Sequence, residues 1–272
     1  MQSKKKRKVY VYNSETDDDF SGMNIKVRKV GRGFAYSRRS LLWRFLSFFT
    51  YYFIAVPVAW AVSEAYMGLR FTGRISLRKL RGGCFLYGNH TRPLDAFLAP
   101  LAAFPKRVYT VAGPEAVSIP GLRTLVMLLG CIPVPTESGA LPRFKKEVED
   151  AVRRGHCVVI FPEAHIWSFY TGIRRFPSVS FTYPVDIGAP VAVMTSTYRK
   201  NPTYIPGFEA KPLMTVHISR PMYPDTTLSR SGARDALCQR VYGIMRGTAS
   251  AAGNYNYIQY RRADEPEKAS EA

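Results

Sequence analysis

The sequence predicts an α/β domain with a mostly parallel central sheet flanked by helices, preceded by an N-terminal membrane-associating helical segment. Three observations predict it. Beyond residue 70, short apolar β-rich runs alternate with helical stretches, which is the pattern of a largely parallel sheet. The 272 residues are 46% apolar and 13% aromatic, enough for a sizeable core and against wholesale disorder. An uncharged stretch, Phe45 to Val62, stands ahead of the domain between Arg44 and Glu64.

That order divides the chain into a flexible charged leader (1–38), a membrane-associating helical segment (39–69), the α/β domain (70–252) and a C-terminal tail (253–272), its last part from Ala263 polar and loose. The leader opens with the Lys4–Lys8 run and continues with Glu15 and Asp17 to Asp19. Basic residues up to Arg39 intervene before anything apolar, so the start does not read as a cleaved secretory signal. The basic run reads as a solvated tail or membrane-surface tether, or as a nuclear-import signal.

The 45–62 stretch sits at the lower length limit for spanning a bilayer, where ~20 apolar residues are needed. Pro57 is expected to break or kink a helix there, and Tyr51, Tyr52, Trp60 and Tyr66 suit the headgroup zone. A spanning helix, an in-plane or re-entrant helix and a buried core helix compete. Basic residues flank both ends: Arg38, Arg39 and Arg44 before, Arg70 to Arg81 after. This favours keeping both ends on the cytoplasmic side, hence a monotopic anchor.

In the domain, Cys84 to Tyr87 predicts a buried strand introduced by Gly82-Gly83, and Val108 to Ala112 another. Ile119 to Leu129 reads as a helix and Ile132 to Val134 as extended. Pro142 to Arg154 is the clearest helix: Pro142 suits its first turn, Phe144, Val148, Ala151 and Val152 share one face, and Gly155 stops it. Cys157 to Phe161, Val191 to Thr195 and Met214 to Ile218 predict further strands, and Ser231 to Arg246 a closing helix. The four scattered cysteines form no C-x-x-C pair and read as buried, reduced thiols.

In such sheets ligands sit beyond the carboxyl ends of strands, which directs attention to two segments. Gly88-Asn-His-Thr-Arg-Pro-Leu-Asp95 follows the first strand, and Phe161-Pro-Glu-Ala-His165 follows the one beginning at Cys157. A neutral imidazole can take a proton from a hydroxyl, and a carboxylate on its other nitrogen fixes the tautomer and stabilises the imidazolium. Pro93 suits a turn that folds Asp95 back onto His90. Alone, the pair is equally the pattern of a histidine simply satisfied at a strand end. His156 and His217 read as structural.

Asn-His-x4-Asp after a buried strand, then Gly130-Cys-Ile-Pro-Val134, Phe161-Pro-Glu163 and Pro190-Val-Ala-Val193, resembles the glycerolipid acyltransferase family, that of 1-acylglycerol-3-phosphate acyltransferase. The likeness covers roughly residues 70 to 200. It implies acyl transfer from a thioester, acyl-CoA or acyl carrier protein, to a lipid hydroxyl such as that of lysophosphatidic acid, in phospholipid biosynthesis. His90 would be the general base and Asp95 its orienter. No metal, cofactor or covalent acyl-enzyme is implied. Asn89, Thr91, Pro162 and Glu163 become candidates for the acceptor pocket. Glu163 reads equally as a structural carboxylate bonding loop N–H groups, and Trp167, Phe169 and Tyr170 as a groove border or plain packing.

The chain departs from the family's pattern. Phe-Pro-Glu is commonly followed by Gly-Thr-Arg, where Ala164-His165-Ile166 stands here, and the second motif lacks its usual Arg. Arg174 or Arg175, with His165, is the expected replacement for those phosphate cations, because a guanidinium fork suits phosphate. The alternative for these residues is a solvated basic loop. A net charge of +19 fits anionic lipid, a phosphate-bearing acceptor and an acidic acyl donor. It also fits a nucleic-acid binder, but no zinc-finger, homeodomain or RNP-type signature accompanies it, so no specific nucleic-acid partner is expected. The remaining alternative is a non-catalytic peripheral lipid-binding relative.

Overall fold

The strands of the computed structural model, which describes residues 8–20, 22, 25–36, 40–203 and 210–265, are β1 (Val9–Tyr12), β2 (Arg70–Thr72), β3 (Cys84–Gly88), β4 (Val108–Ala112), β5 (Cys131–Pro133), β6 (Cys157–Ile160), β7 (Val191–Arg199), β8 (Leu213–Ile218) and β9 (Gln259–Arg262). Seven form one sheet in the order β2-β8-β7-β3-β6-β4-β5. Only β7–β8 pairs antiparallel; the other pairs are parallel. The predicted mostly parallel sheet is therefore present.

β3 and β6 are buried along their whole length. Helices cover both faces, which is why these strands read as continuous apolar runs and not as alternating ones. Cys84 and Leu86 point into one core with the Leu98–Ala103 helix, Met67, Leu69 and Leu77. Phe85 and Tyr87 point into the other, with the helices Leu141–Arg153 and Arg230–Ala251. In Leu141–Arg153 the expected face is buried: Phe144, Val148, Ala151 and Val152. Burying each of Phe144, Val148 and Val152 stabilises by about 1.5–3 kcal/mol. All four cysteines are buried free thiols.

The chain runs from β3 outward to β4 and β5, then returns to place β6 directly beside β3. Register pairs Cys84 with Cys157 and Tyr87 with Ile160. The turns beginning at Asn89 and Phe161 therefore leave the sheet side by side. This reversal of strand order is what brings the two motifs together.

Several expectations need correction. Leu41–Met67 is one unbroken helix despite Pro57, because a π-turn over Thr50–Ala55 widens the backbone just before the ring. Its buried residues fall every fourth position, at Ser47, Tyr51, Ala59, Ser63 and Met67. That face is stitched to the domain. Ser47 Oγ donates to Leu128 O (2.6 Å), Tyr51 OH accepts the Val108 N–H (2.9 Å), and Tyr52 OH donates to Pro105 O (2.9 Å). The helix expected over Ile119 to Leu129 is confined to Arg123–Leu128, and the closing helix extends to Ala251.

Part of the segment expected as a loose leader is built into the domain. β1 pairs in parallel with β9, itself inside the expected tail. Tyr10, Tyr12 and Phe20 pack around Trp167 and Tyr260. Val30 is buried, and its N–H donates to Thr136 Oγ1 (3.0 Å). Aromatic burial outweighs the leader's charge at these positions. Of the Lys4–Lys8 run only Lys8 is among the described residues, as are Ala263 to Glu265 of the polar tail end.

Candidate active site

β3 ends at Gly88, where a Cβ would stand 2.9 Å from the Phe161 ring and 3.1 Å from Met194. The missing side chain lets Phe161 close over the strand end, where it stacks on the His90 imidazole (centroids 4.4 Å apart, planes at 20°). Asn89 clamps the turn to β7: its Nδ2 donates to Ser196 O (3.0 Å) and its Oδ1 accepts the Ser196 N–H (2.8 Å).

After Arg92 the chain enters a 3₁₀ turn, Pro93–Phe97, which brings Asp95 back towards His90. Asp95 Oδ2 accepts the N–H groups of Thr91 (2.6 Å) and Arg92 (2.8 Å) and lies 3.3 Å from His90 Nδ1. Asp95 is 1% exposed and the imidazole 15%. Among the described residues nothing bonds His90 Nε2. A tautomer with Nδ1–H directed at the carboxylate would leave the Nε2 lone pair open. The predicted pair is thus a formed unit: a buried carboxylate, fixed by two backbone donors, behind a partly open ring.

The second motif wraps the first. Glu163 Oε2 accepts the His90 N–H (3.1 Å) and Oε1 the Arg174 N–H (2.9 Å). Trp167 N–H donates to His90 O (3.3 Å) and Phe169 N–H to Thr91 O (3.0 Å). Burial pushes the Glu163 carboxyl above the ordinary carboxylate range, opposed by the Arg174 guanidinium and by the two backbone donors. Ala164, where the family pattern has Gly, keeps a left-handed backbone at φ 63°.

Several sequence candidates are buried in the loop packing. Thr91 is buried and its Oγ1 accepts the Tyr198 hydroxyl (2.7 Å). Pro162 and Glu163 are buried. Arg174, expected as a phosphate cation, is enclosed. Its side chain is 0% exposed, pairs with Glu163 (3.3 Å), donates to His165 O and to Glu15 O (3.2 Å), and lies 5.0 Å from the Trp167 ring centroid. A guanidinium so enclosed fixes the loop. Arg175 is exposed and lines a separate cavity of about 420 Å³ with Arg246, Tyr170 and Tyr242, whose lining does not include His90. His165 is half-buried and lies near Asp17 of the leader, whose carboxyl the Ser14 and Thr16 hydroxyls hold below its ordinary range. Trp167 is packed beneath the leader and borders no groove: its Nε1–H donates to Asp18 O (2.7 Å).

His156 and His217 lie outside the site, as expected. His217 is held between Thr72 and Thr197 hydroxyls, each 3.0 Å from a ring nitrogen. Sequence reasoning passed over Phe161, Tyr198 and Arg92. Arg92 lies inside the His90–Asp95 interval, and its charge in that interval was the available signal. Among the described residues no group of three or more His, Cys, Asp or Glu could hold a metal ion.

A carboxylate-backed imidazole at the end of a central strand, beside a second strand-end motif, is chemically able to take a proton from a hydroxyl. The family model described as Acyltransferase matches residues 68–196. The matched stretch contains both strand-end motifs, and it is this acyltransferase family that they resemble. Nothing among curated proteins matches the sequence. Among solved structures, the chain is similar to the 1-acyl-sn-glycerophosphate (LPA) acyltransferase PlsC from Thermotoga maritima. The identity is 17%, the TM-score 0.49, and the alignment covers 78% of this chain and 97% of that one.

Proposed function

We propose that this enzyme transfers a fatty acyl group from a thioester, acyl-CoA or acyl carrier protein, to the free hydroxyl of a lysophosphatidic-acid-type acceptor at a membrane surface. The observation that carries the reading is the 3.3 Å contact of His90 Nδ1 with Asp95 Oδ2, which leaves Nε2 free. Nε2 takes the proton as the acceptor oxygen attacks the thioester carbonyl. The tetrahedral intermediate collapses by breaking the C–S bond, and the imidazolium returns the proton to the leaving thiolate. Asp95 holds the ring and stabilises its charged form throughout. The scheme requires no cofactor beyond the acyl donor.

The enzyme is proposed to lie on the cytoplasmic face as a monotopic protein. The Leu41–Met67 helix supports this: it is docked along one face, while Leu41, Leu42, Phe45, Phe53, Val58 and Trp60 are more than half exposed on the others. A helix stitched sideways to a domain suits lying in the interface better than crossing it.

The test is phosphatidate formation and thiol release by the purified chain on vesicles, with lysophosphatidate and each donor type. His90→Ala is expected to cost about 10²–10⁴-fold in rate, and Asp95→Asn a similar order, with vesicle binding intact. Wild-type turnover by His90→Ala would overturn the mechanism. Vesicle binding without turnover by the wild type would favour the non-catalytic lipid-binding alternative.

A further inference from the structure

With Arg174 enclosed and Arg175 in another cavity, the acceptor phosphate lacks its expected cation. Arg92 stands two residues from His90. Its backbone is fixed by the bond to Asp95, and its guanidinium carbon lies 4.9 Å from the Phe169 ring centroid. Phe169 is itself held: it has φ 59°, its N–H donates to Thr91 O, and its ring packs on Tyr198 and Tyr257. The planar fork therefore rests on a rigid aromatic platform.

Two features separate Arg92 from an ordinary surface arginine. It has no carboxylate partner among the described residues, although Asp95 is three residues away. Its Nη1 is buried with no hydrogen-bond partner, while the residue as a whole is only half-buried. An orphaned buried donor is costly and rare in a settled protein interior. A bound oxyanion would relieve that cost, because a guanidinium presents paired N–H donors to phosphate.

We propose that Arg92 is the residue that recognises the acceptor's phosphate and so selects a phosphate-bearing lysolipid over a neutral one. This rests on the acyltransferase reading and deepens it. It assigns His90 to the hydroxyl and Arg92 to the anion on the same acceptor. The phosphate of the donor is the competing source of the same chemistry.

The experiment compares wild type, Arg92→Lys and Arg92→Ala, as full chains on neutral vesicles, with lysophosphatidate and with monoacylglycerol at saturating donor. Arg92→Ala is expected to raise KM for lysophosphatidate at least ten-fold and to leave kcat/KM for monoacylglycerol within about three-fold. Arg92→Lys, which keeps charge but loses the fork, falls between. Equal losses on both acceptors, a change confined to the donor's KM, or no change would each overturn the proposal. A second arm measures calorimetric binding of a short-chain lysophosphatidate to His90→Ala and to His90→Ala/Arg92→Lys. The second variant is expected to bind several-fold more weakly, and equal binding overturns the proposal independently of turnover. Binding that depends on Arg92, with no acyl transfer by the wild type, would instead count against the acyltransferase reading alone.

Discussion

The carboxylate of Glu163 holds the backbone of His90, accepting its N–H at 3.1 Å, so the second motif fixes the strand end that carries the imidazole. The same carboxylate is paired with a guanidinium from which water is excluded. The Phe-Pro-Glu motif in this chain thus holds the His90 backbone.

That arrangement predicts a strong coupling. Glu163→Gln leaves the Arg174 cation buried without its counter-charge and is expected to destabilise by about 3–5 kcal/mol. The double variant Glu163→Gln/Arg174→Met should lose much less than the two singles combined, which a urea-unfolding cycle would measure. Additive losses would show that the pair is not a unit.

Ala164 keeps a conformation that favours glycine. Ala164→Gly is therefore expected to raise stability by about 1 kcal/mol, seen as a higher Tm, with turnover unchanged. A lower Tm would mean that the Ala164 methyl group contributes more than its backbone costs.

The exposed face of the Leu41–Met67 helix should carry membrane binding. Phe53→Glu is expected to weaken flotation with anionic vesicles at least ten-fold while moving Tm little, since the ring is 61% exposed. Tyr51→Phe should do the reverse. It leaves the Val108 N–H unpaired, costing about 1–3 kcal/mol, and keeps vesicle binding. If Phe53→Glu floats like wild type, the helix is not the anchor.

His156 sets an acid limit. Burial, aided by the positive charges of Arg154 and Arg107, pushes its imidazole down to about 4. The unfolded chain binds that proton near pH 6.5, so this contribution to stability is complete above 6.5 and is lost as pH falls towards 4. The group is half-exposed, so solvent screening keeps the loss small. His156→Asn should flatten the urea midpoint over that window relative to wild type. An unchanged slope would remove His156 as its cause.

Local pattern made much of this legible. The apolar runs at Cys84, Val108 and Cys157, the i, i+4 face of Leu141–Arg153 and the His90–Asp95 spacing are short-range features. Backbone geometry and burial dictate them within a few residues, and the Pro93 turn closes the pair locally. Arg174 shows the limit. In sequence it is a basic residue in a basic loop, and only packing beneath Trp167 and beside Glu163 removes it from solvent. The leader shows the same limit, since Val9–Tyr12 finds its partner at Gln259–Arg262, far along the chain.

The sequence by itself determined the sheet, the apolar helix and the imidazole–carboxylate pair, because periodicity and close spacing encode them. The tertiary structure alone decided which cations are enclosed, which stay free, and that the first and last strands meet. Those outcomes depend on desolvation and long-range pairing, and neither is written in any single stretch of chain.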